Sequence, residues 1–361
     1  MRSIFLVIAS FAITILAWGI YGPVLHWGQG QMSTVTGSYA RLRPFVCVGL
    51  AYFAIGVVVP TFVLKLKGEA GNWTIQGLLF SLAGGALGAL GALGIIMAFN
   101  FGGNATYVMP LVFGGAPVVN AFLTIYLGRR IKEIGPFFLT GLTMVLLGAV
   151  TVFAFAPRQE KPAVHEATRA TTGSVDAQIT DNHRTAPAVG NKFSRFVLQL
   201  LSIAVVILCW GAYGPVLHKG QAAMHQSRLR PLICVGLAYF AIAVLVPNLF
   251  LAAWPEESTY GNLAGTMWSL GAGAAGAIGA LGIILAFNFG GKPVYVMPVV
   301  FGGAPVVNTL FTTIVGDLWD RVHPFFLAGL ILVIAGAAMV LVFAPRPTPP
   351  VKVDTVPNSK D

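Results

Sequence analysis

An all-α membrane protein with ten transmembrane helices, arranged as a 5+5 inverted-topology repeat, is the fold this sequence predicts, and three observations predict it. The first is scarcity of charge: 9% of the 361 residues are Asp, Glu, Lys or Arg, and 56% are hydrophobic. Soluble domains carry about 25% charged residues, so lipid rather than water must be the main solvent of this chain. The second is a series of ten long apolar runs. The third is a duplication: Gly91–Asn120 recurs as Gly279–Asn308, with 25 of 30 positions identical.

The runs follow in order. The first run is Ile4–Leu25, and its part Ile4–Leu16 behind Met1-Arg2 has by itself the look of a cleavable signal peptide. A related segment recurs at Phe196–His218, inside the chain, so the first run is expected to be a retained helix. Pro44–Leu66, Thr74–Phe99, Ala105–Leu127 and Gly135–Phe155 complete the first half. Phe196–His218, Pro231–Ala253, Asn262–Phe287, Pro293–Val315 and Pro324–Phe343 form the second. A helix rises about 1.5 Å per residue and a bilayer core is about 30 Å thick, so each run can span it. Lipid offers no partner to unpaired backbone groups, which favours helices. Asn100-Phe101-Gly102-Gly103-Asn104 divides the third span from the fourth with a tight turn.

Shorter segments repeat as well. Ala17–His26 matches Cys209–His218, Arg41–Pro44 matches Arg228–Pro231, and Phe155–Arg158 matches Phe343–Arg346. The chain therefore divides into a first five-helix repeat (1–157), a polar linker (158–194), a second five-helix repeat (195–346) and a tail (347–361). Linker and tail lack apolar periodicity and are expected to be disordered.

Five spans per half is an odd number, so the second half must enter from the opposite side. With the N-terminus cytoplasmic, the inside segments carry 13 Lys or Arg and the short outside loops carry three, Arg41, Arg43 and Arg321. Positive residues concentrate on the cytoplasmic side, which predicts a multi-pass protein of the plasma (inner) membrane with both termini inside. The same bias accounts for the net charge of +10, and no basic face interleaved with aromatics points to nucleic acid.

Several chemistries are excluded by the inventory. All twelve Asp and Glu lie outside the apolar runs, and no Lys or Arg sits near a helix centre. Intramembrane charges mark ion pathways and proton relays, so a carboxylate-based exchanger has no candidate here. No metal-ligand spacing or nucleophile motif occurs, so no enzyme activity and no cofactor is expected. Cys47, Cys209 and Cys234 sit in apolar runs and are expected to be free. His26 and His218 recur between halves, each read as ending a helix, in a headgroup or a gating role.

The candidate site residues lie on the repeated segments. Gly114-Gly115-Ala116-Pro117 falls about midway through the fourth span, and Gly302-Gly303-Ala304-Pro305 through the ninth. Proline removes a backbone donor and blocks the bond to the residue four before it. A break near the membrane centre frees carbonyls that must face protein or a hydrated cavity. Paired interruptions of this kind point to a transporter binding site, with gating at Gly114, Gly115, Pro117, Gly302, Gly303 and Pro305. Asn120 and Asn308 follow three residues later, and their amides need partners on a neighbouring helix or on a solute. Tyr107 and Tyr295 open the same helices, as interfacial anchors or as cavity wall. Trp18 with Tyr21, and Trp210 with Tyr213, share helix faces at a spacing of three. Small residues on span three (Gly84, Gly88, Gly91, Gly94) and span eight (Ala272, Gly276, Gly279, Gly282) form faces for close packing. The kinked helices are expected to rock against these faces.

The five-plus-five plan, Trp18-Gly19 and Trp210-Gly211 in the first helix of each half, and a glycine-rich third helix before a Pro-broken fourth resemble the drug/metabolite transporter superfamily, in particular its EamA-like ten-helix branch. The resemblance covers nearly the whole chain except linker and tail. It implies a central cavity surrounded by helices one, three and four of each half. Small multidrug members carry a glutamate in the first helix; Ile4–Leu25 has none.

The expectation is a secondary transporter or exporter of a small neutral or zwitterionic metabolite, working by alternating access. Asn120 and Asn308 would hydrogen-bond the solute, and Trp18, Trp210, Tyr21, Tyr213, Tyr107 and Tyr295 would shape its cavity. The alternatives are a flippase for a lipid-linked substrate and a non-transporting membrane scaffold or sensor. Expected partners are the small-molecule solute and membrane lipid, with a homodimer allowed.

Overall fold

The computed structural model describes residues 2–33, 39–127, 129, 131–157, 192–225, 227–253, 262–289, 293–343 and 345. Most of the 158–194 linker and the whole 347–361 tail lie outside the described residues.

The helices are α1 (Arg2–Gln31), α2 (Leu42–Phe53), α3 (Val59–Lys67), α4 (Ile75–Asn100), α5 (Ala105–Leu127), α6 (Pro136–Phe155), α7 (Lys192–Ala223), α8 (Leu229–Tyr239), α9 (Val246–Ala253), α10 (Leu263–Asn288), α11 (Pro293–Val315) and α12 (Pro324–Phe343). Among the described residues there is no strand. Among the described residues, nine helical stretches are long and apolar enough to cross a membrane, and α11 adds a shorter apolar stretch, Val299–Val315. The molecule is an all-α, multi-pass membrane protein.

Several boundaries differ from expectation. α1 runs to Gln31 and α7 to Ala223, so His26 and His218 lie within helices and do not end them. The polar residues past each histidine keep the helical register because they pack on the N-terminal end of another helix. α7 also begins at Lys192, inside the expected linker.

The breaks fall elsewhere too. α5 stays helical through Pro110 and Pro117, and α11 through Pro298 and Pro305, so the expected interruptions at Gly114-Gly115-Ala116-Pro117 and Gly302-Gly303-Ala304-Pro305 are not unwound segments. Their glycines admit close neighbours: a Cβ on Gly114 would lie 2.3 Å from Val333, and on Gly115 2.7 Å from Ile207. The distorted helices are the second of each half. Between α2 and α3, Ala54–Val58 is a π-turn, and between α8 and α9 so is Phe240–Leu245. Each ends just before Pro60 or Pro247. A proline ring crowds the carbonyl four residues earlier and offers no N–H to it. The helix widens there, and the Val59 and Val246 amides reach back five residues, to Ala54 and Ala241.

Packing pairs distant segments. α1 lies antiparallel on α10, and α7 antiparallel on α4, with α2 against α10 and α8 against α4. The caps explain the pairing. Thr74 caps α4 by accepting from the Gly77 amide at 3.0 Å, and its hydroxyl donates to the Ala223 carbonyl of α7 at 3.1 Å. Asn262 caps α10 through the Gly265 amide and donates to the Gln31 carbonyl of α1. The glycine faces are filled by aromatic rings. A Cβ on Gly91 would lie 2.1 Å from the Trp210 indole, and one on Gly279 2.1 Å from Trp18. These faces therefore receive α7 and α1, and not the proline-bearing α5 and α11 as expected, because only glycine leaves room for an indole. α6 and α12 cross at glycines of their own, with Gly141 and Gly148 against the Gly336 and Gly329 carbonyls.

Candidate functional site

Between these pairs lies a cavity of about 420 Å³. Trp18 and Tyr21 reach it from α1, Tyr52 from α2, Phe113 and Asn120 from α5, Trp210, Tyr213, His218 and Gln221 from α7, Tyr239 from α8, and Phe301 from α11. Glycines 88 and 276 form part of its wall. Ligand sites commonly measure about 300–1,000 Å³ and set a few polar groups in an apolar lining. Among the described residues no Asp, Glu, Lys or Arg lines this one.

The two tryptophans are fixed by hydrogen bonds. The Trp18 indole donates to the Gly276 carbonyl at 3.2 Å, and the Trp210 indole to the Gly88 carbonyl at 3.3 Å. Each bond joins segments that match under the sequence duplication. With both N–H groups satisfied, what the indoles offer the cavity is ring surface. Tyr52 and Tyr239 stack face to face at 3.7 Å where α2 and α8 cross. Tyr21 meets Trp210 at 6.0 Å, and Phe113 bridges to Phe301 at 6.4 Å. Pro117 has no N–H for the Phe113 carbonyl, nor Pro305 for that of Phe301, so both prolines act on cavity residues without breaking their helices.

The structure thus gathers Trp18, Tyr21, Trp210, Tyr213 and Asn120 at one place. Tyr107 and Asn308 stand apart from it, at the start of α5. The Tyr107 hydroxyl accepts from Gln199 Nε2 at 2.6 Å and donates to the Gly102 carbonyl at 3.3 Å. Asn308 is fully buried, and its Nδ2 donates to the Ala105 carbonyl at 3.0 Å. The side chain of Tyr295 lies outside the described residues. Tyr52, Tyr239, Phe113, Phe301 and Gln221 were not among the residues expected there, whereas His218 was singled out by its recurrence, for a headgroup or gating role. A signal for the tyrosines was present, since Ala-Tyr-Phe-Ala-Ile stands at both 51–55 and 238–242.

The two ends of the bundle differ. At the end where α7 finishes, His218 lines the cavity and is exposed, so the cavity reaches the surface there. At the end where α1 finishes, contacts among the described residues close the bundle. Gln29 Nε2 donates to the carbonyls of Ala40 (2.9 Å) and Ile96 (3.2 Å), Asn100 Nδ2 donates to Tyr39 (2.7 Å), and His26 stacks on Tyr39 and against Phe99. Among the described residues no cluster of His, Cys, Asp and Glu could hold a metal, and Cys47, Cys209 and Cys234 are free.

No protein-family model and no curated protein matches the chain. Eight solved chains match it in structure. One of them is 17% identical, covering 93% of this chain and 96% of that one, at a TM-score of 0.55. At that identity the likeness is one of fold: the helical arrangement extends over nearly the whole chain and is shared with a protein of experimentally determined structure.

Proposed function

We propose that the protein is a secondary transporter or exporter of a small neutral or zwitterionic metabolite, and not an enzyme. It works by alternating access between two five-helix halves of inverted topology, as the resemblance to EamA-like drug/metabolite transporters implies. The observation that carries this reading is the cavity formed by segments of both halves, aromatic-walled and, among the described residues, uncharged and open at one end. An uncharged lining disfavours ions, whose desolvation would go uncompensated. Asn120, Tyr213, His218 and Gln221 supply amide, phenol and imidazole groups suited to a polar but uncharged solute. Trp18, Trp210, Tyr52 and Tyr239 supply flat apolar faces for its carbon skeleton.

Thermal unfolding of the purified protein in detergent tests this against a panel of sugars, amino acids, nucleosides, amines and lipid-linked sugars. A ligand at 100 times its Kd stabilises by about 2.7 kcal/mol. The expected result is an upward shift in Tm with one neutral or zwitterionic class, abolished by Asn120→Ala and reduced by Tyr213→Ala. A shift confined to lipid-linked sugars would move the assignment to a flippase. No shift with any compound, in protein that melts cooperatively, would favour a scaffold or sensor.

A further inference from the structure

Four polar residues that line the open cavity have partners under the sequence duplication. Tyr213 matches Tyr21, His218 matches His26, Gln221 matches Gln29, and Asn120 matches Asn308. Each of the four matching residues holds a buried polar atom with no hydrogen-bond partner: Tyr21 Oη, His26 Nδ1, Gln29 Oε1 and Asn308 Oδ1. Burying a polar atom unpaired is costly, and native structures leave few such atoms. Four on the residues that match the open lining is a pattern that helix packing does not require. It follows directly if these groups meet water or solute in another state of the protein.

The seal carries the same signature. Gln29 donates to the Ile96 carbonyl, and under the duplication that contact becomes Gln221 with Ile284. Both Gln221 and Ile284 line the open cavity, and among the described residues the Gln221 side-chain amide has no hydrogen bond of the kind Gln29 makes. One end thus has the amide lock made, and the other has both halves of the same lock apart.

We propose that His26, Gln29 and Asn308, joined to the present cavity through Tyr21, form a second vestibule, closed in this structure, which takes the solute from the opposite side of the membrane with the same uncharged hydrogen-bonding set as the open one. It opens when Gln29 leaves the Ala40 and Ile96 carbonyls, and the present mouth closes as Gln221 takes the carbonyl of Ile284. The two amides are alternative locks on one pair of mouths. This rests on the alternating-access reading, and it adds the residues that contact the solute in the unseen state. The four matched residues of each set carry the same amide, phenol and imidazole groups, so the solute meets the same hydrogen-bonding chemistry on either side.

Pulsed EPR on the full-length chain tests the proposal in a background with Cys47, Cys209 and Cys234 replaced by alanine. One spin-label pair, at Gln31→Cys and Phe101→Cys, reports the sealed end. A second, at Ala222→Cys and Asn288→Cys, reports the open end. Gln29→Ala should lengthen the first distance and shorten the second together, as a several-fold change in the ratio of two populations. Gln221→Ala should remove the population in which the second pair is short. The proposal is overturned if the sealed end widens without the open end narrowing, if both ends move in the same sense, or if neither responds. Hydrogen exchange on the cysteine-intact chain gives the same reading should the labelled variants fold poorly. Gln29→Ala should then raise exchange across 26–33 and 93–101 and lower it across 218–225 and 284–289. Linked ends in a protein that moves no solute would leave the locks standing and remove the transport reading. Independent ends in a protein that does move solute would remove only the locks.

Discussion

Glycine 91 shows how one residue sets a helix interface. Its missing side chain is the space occupied by the Trp210 ring, whose indole then reaches the Gly88 carbonyl one turn away. Gly279 and Trp18 repeat the arrangement. Inserting a methyl group forces the indole out of its slot, and overpacking of this kind typically costs about 1–3 kcal/mol. Gly91→Ala and Gly279→Ala should each lower Tm in detergent and widen the cavity wall. Gly135→Ala, where a Cβ would meet nothing within 4 Å, should leave Tm within error. Equal effects at Gly91 and Gly135 would show that the indole slot is not tightly packed. The glycine spacing was legible in the sequence because a periodic face of small residues has few uses other than close packing. Its occupant was not, since nothing local to Gly91 refers to a tryptophan 119 positions later.

At the scale of elements, the loop after α3 holds the α4–α7–α8 group together through one carboxylate. Glu69, with a side chain only 6% exposed, accepts from the Ser227 hydroxyl (2.6 Å), the Arg228 amide (2.8 Å), the Arg228 guanidinium (3.1 Å) and the Leu229 amide (3.1 Å). Arg230 lies 3.6 Å from it. Burial pushes this carboxyl up, and the hydrogen bonds from Ser227, Arg228 and Leu229 outweigh burial, holding it below the ordinary carboxylate range. A carboxyl lowered on folding contributes stability that is complete above its unfolded pKa and is lost as pH falls through the folded value. Tm should therefore fall on acidification below about pH 4.3, the usual glutamate value. Glu69→Gln should lose about 2 kcal/mol at neutral pH, the scale of hydrogen bonds to a charged group, and flatten that part of the pH profile. An unchanged acid limb in Glu69→Gln would assign it to other carboxyls. The π-turns before Pro60 and Pro247 belong to the same scale. Sequence reading placed its breaks at Pro117 and Pro305, because glycines beside proline look like the weaker helix. In the structure those glycines are packing sites, and the strain relaxes in the second helices.

For the whole molecule, the proposed inverted repeat makes the number of crossings even and puts both termini on one side. Reporter fusions at Met1 and after Asp361 should both give cytoplasmic signals, and a reporter in the linker the opposite one. Termini on opposite sides would sink the 5+5 plan, and with it the pairing of Gln29 with Gln221. The sequence by itself determined that the chain lives in lipid, that it is helical, where most spans lie and that two halves share their segments. Those properties follow from composition and run length, and lipid leaves the backbone no other way to pair its groups. The tertiary structure alone decided which helices meet, that Tyr52, Tyr239, His218 and Gln221 join the tryptophans around one cavity, and that Asn308 and Tyr107 stand away from it. Near-identical segments cannot differ in isolation. The contacts that close one end, Gln29 with Ala40 and Ile96 and Asn100 with Tyr39, join segments distant in the chain, so packing decided where they form.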